Sequence, residues 1–282
     1  MTIKLIAVDM DGTFLRDDKT YDRARFQQQY EQLKELGIHF VVASGNQLYR
    51  LHNYFDDYSY DFSYVAENGA YVTHGGNELR IDHLTPEDTQ KVFRFIESHT
   101  NLRPIICGKD SAYVLDSINP DELELAKRYY GRLKIVSSYS EIDDAIMKIA
   151  LHMEGGCETT FNTAITEELP GILIPVTSGH QFVDLIIPGV HKAHGLEALL
   201  SHLDIHRSEV IAFGDNNNDV EMLAHAGFGF AMDNAGEQAK AAARFIAASN
   251  NEGGVLDVLD LIIEGARSGS DFEELLSKYK TA

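Results

Sequence analysis

The run Lys4-Leu5-Ile6-Ala7-Val8-Asp9-Met10-Asp11-Gly12-Thr13 decides how the rest of the chain is read. Residues 4–8 form a short apolar block, the pattern of a strand buried on both faces. The block stops at two aspartates and a glycine. In an open parallel sheet, ligands sit outside the carboxyl ends of the strands. A strand that ends in Asp-x-Asp-Gly therefore carries carboxylates to the place where chemistry is done. Alone, the tetrapeptide is no stronger than a loop signal, so its weight depends on the segments downstream of it in the chain.

Strand and helix patterns alternate outward from it. Residues 22–36 are amphipathic, with Phe26, Tyr30, Leu33 and Leu36 near one face and Gly37 as a stop. Residues 38–43 read as a second buried strand ending at Ser44-Gly45-Asn46, residues 48–55 as a helix, and 64–66 and 70–72 as short strands around Glu67-Asn68-Gly69. Such βαβ patterning predicts a parallel sheet. The middle differs. Residues 86–98, 120–130 and 158–168 read as helices, and 103–107, 112–115, 146–153, 172–176 and 182–187 as extended segments. Paired strands between helices predict an α+β module with an antiparallel sheet. The first pattern then resumes: a helix at 193–203 opened by Lys192, a strand at 209–213 ending at Gly214-Asp215, a helix at 219–226, a strand at 228–231, and helices at 236–244 and 254–264. A short helix at 272–279 has no role that the sequence assigns. The expected architecture is α/β, a Rossmann-like parallel-sheet core from residues 1–82 and 189–282 with an inserted α+β cap at 83–188.

The length of 282 residues suits a core plus a second module. Lysine and arginine number 24 against 44 acidic residues, a net charge of −20. That charge argues against nucleic acid or an anionic membrane as partner, and an anionic ligand must find its positive charge locally. The two cysteines, Cys107 and Cys157, lack metal-ligand spacing and read as reduced thiols. There is no signal-peptide layout at the start and no apolar run of membrane-spanning length. The expectation is a cytoplasmic protein with a small-molecule ligand and no obligate protein partner.

Four polar clusters share one face in this layout: Asp9 with Asp11, Ser44, Lys192, and Asp215 with Asn218 and Asp219. Asp9 and Asp11 are two apart, so on extended backbone their side chains point the same way. Close carboxylates repel, and one tends toward a raised pKa unless a cation intervenes. Phosphoryl transfer uses both situations. An ionised Asp9 attacks phosphorus and becomes an acyl phosphate; Asp11 protonates the leaving alkoxide and later takes a proton from water. Gly12 permits the tight turn. Mg²⁺ takes oxygen ligands, and Asp9, the backbone carbonyl of Asp11 and Asp215 form a suitable set, with Asp219 as a supporting group or helix cap. The Ser44 hydroxyl and the adjacent N–H groups, Gly45 included, suit a phosphate oxygen. Lys192 offers that phosphate a point charge, and Asn218 can donate to the substrate. Each residue has a plainer reading in isolation: Ser44 an N-cap, Lys192 a solvated surface charge, Asp215 and Asp219 caps. Their convergence points to chemistry.

These residues resemble the haloacid dehalogenase superfamily. Asp9-Met10-Asp11-Gly12-Thr13 is similar to its first motif, Val41-Val42-Ala43-Ser44-Gly45-Asn46 to its second, Lys192 in His191-Lys192-Ala193-His194-Gly195 to its third, and Gly214-Asp215-Asn216-Asn217-Asn218-Asp219 to its fourth. The insertion, with Ala66-Glu67-Asn68-Gly69-Ala70 and Asp184-Leu185-Ile186-Ile187-Pro188-Gly189, resembles the Cof-type subgroup with a large α/β cap (type IIB), nearest to bacterial sugar phosphatases. The resemblance implies a Mg²⁺-dependent phosphatase of small phosphorylated metabolites, with Asp9 as nucleophile, and a cap hinged near residues 82 and 188. Family members often carry glycines where this chain has Asn216 and Asn217. Asp11 argues against a haloalkanoic dehalogenase of the same fold. A phosphomutase or phosphotransferase keeps both aspartates and stays open as the alternative. A receiver-like signalling domain is much shorter and lacks the insertion. Selectivity is expected from cap residues facing the core, with His180, Gln181 and the Ser178-Gly179 turn as candidates.

Overall fold

The computed structural model describes residues 2–55, 61–99, 102–152, 158–177 and 182–280. Cys157 and the candidates Ser178, Gly179, His180 and Gln181 lie outside the described residues.

The larger sheet has eight strands in the order Phe245–Ala247, Phe228–Met232, Val210–Gly214, Leu5–Val8, His39–Ala43, Ser63–Ala66, Tyr71–His74, Asn77–Ile81. The first six are mutually parallel. Numbered among themselves along the chain they stand 6-5-4-1-2-3, the doubly wound order. Leu5–Val8 is thus the central strand at the switch point, which explains its unbroken apolar character; every residue in it is buried. Val8 pairs with Val42 on one side and Phe213 on the other. Asp9 therefore lies level with Ala43 and Gly214, and Ser44 and Asp215 follow one residue beyond. The last two strands form an antiparallel hairpin extension.

Local chemistry shapes the elements around this strand. Helix Arg23–Glu35 starts at Asp22, whose side chain accepts from the Arg25 N–H, and buries Phe26, Gln29, Tyr30 and Leu33. It stops before Gly37, whose φ of +68° lies in the left-handed region that favours glycine. Phe26 meets Phe14 at 4.9 Å and Phe40 at 5.0 Å between ring centroids. This contact fastens the stretch after the first aspartates to helix and sheet together.

The smaller sheet runs Ile174–Thr177, Phe182–Ile186, Ile146–His152, Pro104–Gly108, Ala112–Leu115, Leu133–Val136. It departs from the antiparallel expectation at one edge. Ala112–Leu115 and Leu133–Val136 are parallel, because helix Pro120–Tyr129 carries the chain back between them. The chain passes from the larger sheet to the smaller one between Asp82, whose N–H donates to Ala70, and Leu84, whose N–H donates to Ile146. On the return, Ile187 packs against both cores.

Residues 272–280 acquire a place. Phe272 and Leu276 are buried, the Tyr279 ring stands 5.8 Å from Phe230, and Lys280 bridges Phe245. The tail covers the free edge of strand Phe245–Ala247, an edge that otherwise invites pairing with another chain. Among the described residues no helix is long and apolar enough to cross a membrane.

Candidate active site

The sheet delivers Asp9 to the floor of a pocket between the two sheets, where it is buried at 6% exposure. Lys192, the first residue of helix Lys192–Leu203, is wholly buried beside it. Its Nζ donates to Asp9 Oδ1 at 2.5 Å and to Asp219 Oδ1 at 2.6 Å. Burial works against the ammonium, but Asp219 and Asp9 hold it charged well above its ordinary range. Asp219 uses its other oxygen to accept from the N–H groups of Asp215 and Asn216, at 3.0 and 3.1 Å. It makes no side-chain cap on helix Val220–His225, but through the Asn216 N–H it closes the capping box of the short turn Asn217–Asp219 that precedes it. It locks the loop that carries Asp215 and orients Lys192.

Asp215 Oδ1 accepts from the Thr13 hydroxyl at 2.8 Å. Gly12, at φ +84°, lies so close that a Cβ there would sit 2.5 Å from Asp215 Oδ2. Oxygens of Asp9, Asp215 and Asp219 all fall within 4.8 Å of one another. Burial, then the neighbouring carboxylates, push Asp9 well above the ordinary range, despite Lys192. Burial and Asp219 push Asp215 up to about 6. Three carboxylates against one ammonium is a deficit of positive charge, and all the donors are hard oxygens. The residues fit a divalent cation of the Mg²⁺ type. Asp219, with both oxygens engaged, is held back from such a cation, which leaves Asp9 and Asp215.

Asp11 lines the same pocket but not by strand alternation. The strand ends at Val8 and the chain turns at Met10, so the charges that crowd Asp9 are Asp219 and Asp215. The expectation that Asp9 and Asp11 form the repelling pair is corrected accordingly. Asp11 accepts from Lys19 Nζ at 2.7 Å and from Asn46 Nδ2 at 2.6 Å. Burial raises its carboxyl, but Lys19, Arg50 and Asn46 outweigh it and hold the group below its ordinary value.

Ser44 is buried and lines the pocket beside Gly45 and Asn46. It is no helix cap: the following helix, Leu48–Tyr54, begins after Gln47, and Ser44 Oγ accepts from the Asn46 N–H at 3.1 Å. Asn218 also lines the pocket, and its amide donates to Asn68 Oδ1 at 3.0 Å. The structure thus brings Asp9, Asp11, Ser44, Gly45 and Asn218 to the wall of one pocket, with Lys192, Asp215 and Asp219 packed around Asp9 behind it.

Several further residues, to which the sequence reading gives no role in the site, line the pocket, Asp184 among them although it opens a segment quoted for the resemblance. Lys19 sits in a polar loop with no spacing signal, held at φ +63°. Lys148 lines the pocket from strand Ile146–His152, and Asp184 from Phe182–Ile186. Both stand alone in apolar runs, and a lone charge in a buried strand is a readable signal. Burial pushes Glu67, beneath them, up to about 7, with Lys148 pulling the other way. Cys107 is a buried free thiol.

A family model described as haloacid dehalogenase-like hydrolase matches residues 6–259. The 5-amino-6-(5-phospho-D-ribitylamino)uracil phosphatase YbjI of Escherichia coli (strain K12) is 44% identical over 264 residues, covering 94% of this chain and 97% of the relative. A phosphatase named for the same substrate, YitU of Bacillus subtilis (strain 168), is 27% identical over 275 residues, covering 89% of this chain and 94% of its own. The crystal structure of SMU.1108c from Streptococcus mutans UA159 superposes with a TM-score of 0.87 at 34% identity, covering 92% of this chain and 98% of that one. The chain belongs to the haloacid dehalogenase-like hydrolase family. Within it, the chain is a phosphatase, a phosphoric monoester hydrolase of the Cof-type group with a Rossmann-like core and a cap.

Proposed function

We propose that the chain is a Mg²⁺-dependent phosphatase that acts on phosphate monoesters of small polyhydroxylated metabolites through an aspartyl-phosphate on Asp9. The leading substrate is 5-amino-6-(5-phospho-D-ribitylamino)uracil. The observation that carries the reading is Asp9 meeting Lys192 at 2.5 Å within 4.8 Å of Asp215 oxygens, in the pocket that Ser44 also lines. The substrate rests on the two relatives that bear its name. Its reacting end is a pentitol phosphate, close in chemistry to the sugar phosphates expected from the motifs. Relatives named as phosphatases favour hydrolysis over the phosphomutase alternative. Residues 83–188 act as the cap that selects the substrate.

In the first half-reaction an Asp9 oxygen bonds to phosphorus as the bond to the ester oxygen breaks. Asp11 gives its proton to that oxygen, and the alcohol leaves. In the second, Asp11 takes a proton from water, the water oxygen attacks phosphorus, and the bond to Asp9 breaks to release phosphate. Lys192 pulls Asp9 toward its ionised form against burial and the carboxylates of Asp219 and Asp215, and the positive charge of a bound divalent cation would tip that balance. Ser44 and the Gly45 N–H bind phosphoryl oxygens, and Asn218 adds an amide on the substrate side. A bound Mg²⁺, held by Asp9, Asp215 and the Asp11 backbone carbonyl, supplies positive charge against the phosphoryl oxygens. Lys19 and Asn46 hold Asp11 ionised before substrate binds; an arriving phosphate dianion adds negative charge beside it and favours its protonated, donating form.

Phosphate release from this uracil derivative and from a panel of sugar and pentitol phosphates tests the reading. Turnover with Mg²⁺ and reversible loss in EDTA are expected. Comparable metal-free hydrolysis would remove the metal assignment, and preference for an unrelated phosphate would remove the substrate.

A further inference from the structure

A second buried charge cluster lies across the junction of the two sheets, apart from the carboxylates around Asp9. Lys148 projects from the apolar strand Ile146–His152 with a side chain only 4% exposed. Its Nζ donates to the Gly45 carbonyl at 2.6 Å and to Asp184 Oδ2 at 3.1 Å, and stands 3.3 Å from Glu67 Oε2. Asp184 Oδ2 also accepts from Asn68 Nδ2 at 2.7 Å. Burying an ammonium is costly unless acceptors surround it. An apolar residue would suit that strand better if packing were all that was required.

The Gly45 carbonyl belongs to the same planar peptide unit as the Asn46 N–H. That N–H donates to Ser44 Oγ, and the Asn46 side chain donates to Asp11. Fixing the carbonyl end of this unit therefore sets the Ser44 acceptor and the start of the Asn46 side chain together. With Ser44 Oγ accepting from that N–H, its own proton is left to donate elsewhere. The receiving turn is built at a cost at Glu67, whose φ of +50° lies in a region that disfavours its side chain, while Asn68, at +54°, is of a type that enters it more readily. Gly45 itself is pressed close, since a Cβ there would meet Asn68 Oδ1 at 2.9 Å.

We infer that Lys148 is a positioning residue: by tying the Gly45 carbonyl to Asp184 and Glu67, it makes the smaller sheet orient the phosphate-binding loop 44–46. The inference rests on the phosphatase reading of that loop. On it, the core alone does not hold the loop in its working orientation; the cap contributes a fixed ammonium that need not touch the phosphate.

The test is the double variant Lys148→Met/Glu67→Gln. It removes the ammonium together with the Glu67 carboxyl that faces it, so no partnerless carboxyl is left at position 67 while the bond to Gly45 is lost. Melting temperature, kcat/KM for p-nitrophenyl phosphate and inhibition by orthophosphate are measured beside the wild-type chain. The expected result is near wild-type melting, kcat/KM down about a hundredfold and orthophosphate inhibition weakened about tenfold. Wild-type kcat/KM and inhibition in the double variant would show that Lys148 only balances charge, and would overturn the inference. Should the double variant not fold, Lys148→Arg takes its place. It keeps the charge but replaces a point donor with a planar fork; reduced kcat/KM at unchanged melting is expected, and unchanged kcat/KM overturns the inference. A wild-type chain without turnover would sink the phosphatase reading and this one with it, an outcome distinct from loss confined to the variants.

Discussion

Lys192 has no exposed surface, and its ammonium survives there because Asp9 and Asp219 each accept from it. Asp9→Asn removes the nucleophile and should abolish phosphate release, while Asp11→Asn should lower kcat by about 10²–10⁴; release by Asp9→Asn at a measurable fraction of wild type would exclude that assignment. Asp215 makes a stability prediction with a definite sign. Its carboxyl is raised from 3.8 to about 6 in the folded chain. Raised means the fold prefers the protonated form, so the stability this gives is present below 3.8 and lost as the pH rises through 6. Without metal, Asp215→Asn should therefore be more stable than wild type at pH 7.5, by on the order of 2 kcal/mol. The gain should fade as the pH falls from 6 toward 4, read by denaturant melts in EDTA. Added Mg²⁺ should reverse the comparison. The sequence made Asp9, Ser44, Lys192 and Asp215 legible because each follows or opens an element with a strong pattern. It misjudged which carboxylate crowds Asp9, because that depends on where the strand stops, which an apolar run does not fix.

Among elements, the turn Glu67–Gly69 meets the start of helix Lys192–Leu203 closely. A Cβ on Gly69, already at φ +96°, would collide with the His191 carbonyl. Gly69→Ala should cost at least about 2 kcal/mol and displace Lys192 with its helix, lowering kcat along with stability; a variant with unchanged melting and activity would show the helix start to be tolerant. Strands Leu5–Val8 and Val210–Gly214 were readable because they are buried on both faces and uniformly apolar. Asn77–Ile81, Leu133–Val136 and Phe245–Ala247 were not. They are three to five residues long and lie at sheet edges, where one side needs no apolar cover and the pattern has little length to register. The parallel pair in the smaller sheet was hidden for the same reason.

At the scale of the molecule, a larger sheet carries the motif residues and a smaller one roofs the pocket, with a net charge of −20 over the whole chain. The field of the chain repels an anionic substrate, so capture depends on local cations and should weaken little as salt screens the surface. Raising the ionic strength should leave KM unchanged or lower it; a steep rise in KM with salt would indicate steering by a positive surface. The most direct measurement is acid-quench mass spectrometry of the chain mixed with Mg²⁺ and its phosphorylated substrate. One phosphoryl group should appear on the peptide carrying Asp9, vanish once the substrate is exhausted, and be absent in Asp9→Asn. A phosphoryl group on another residue, or full turnover with no phosphorylated protein at any quench time, would contradict transfer to Asp9.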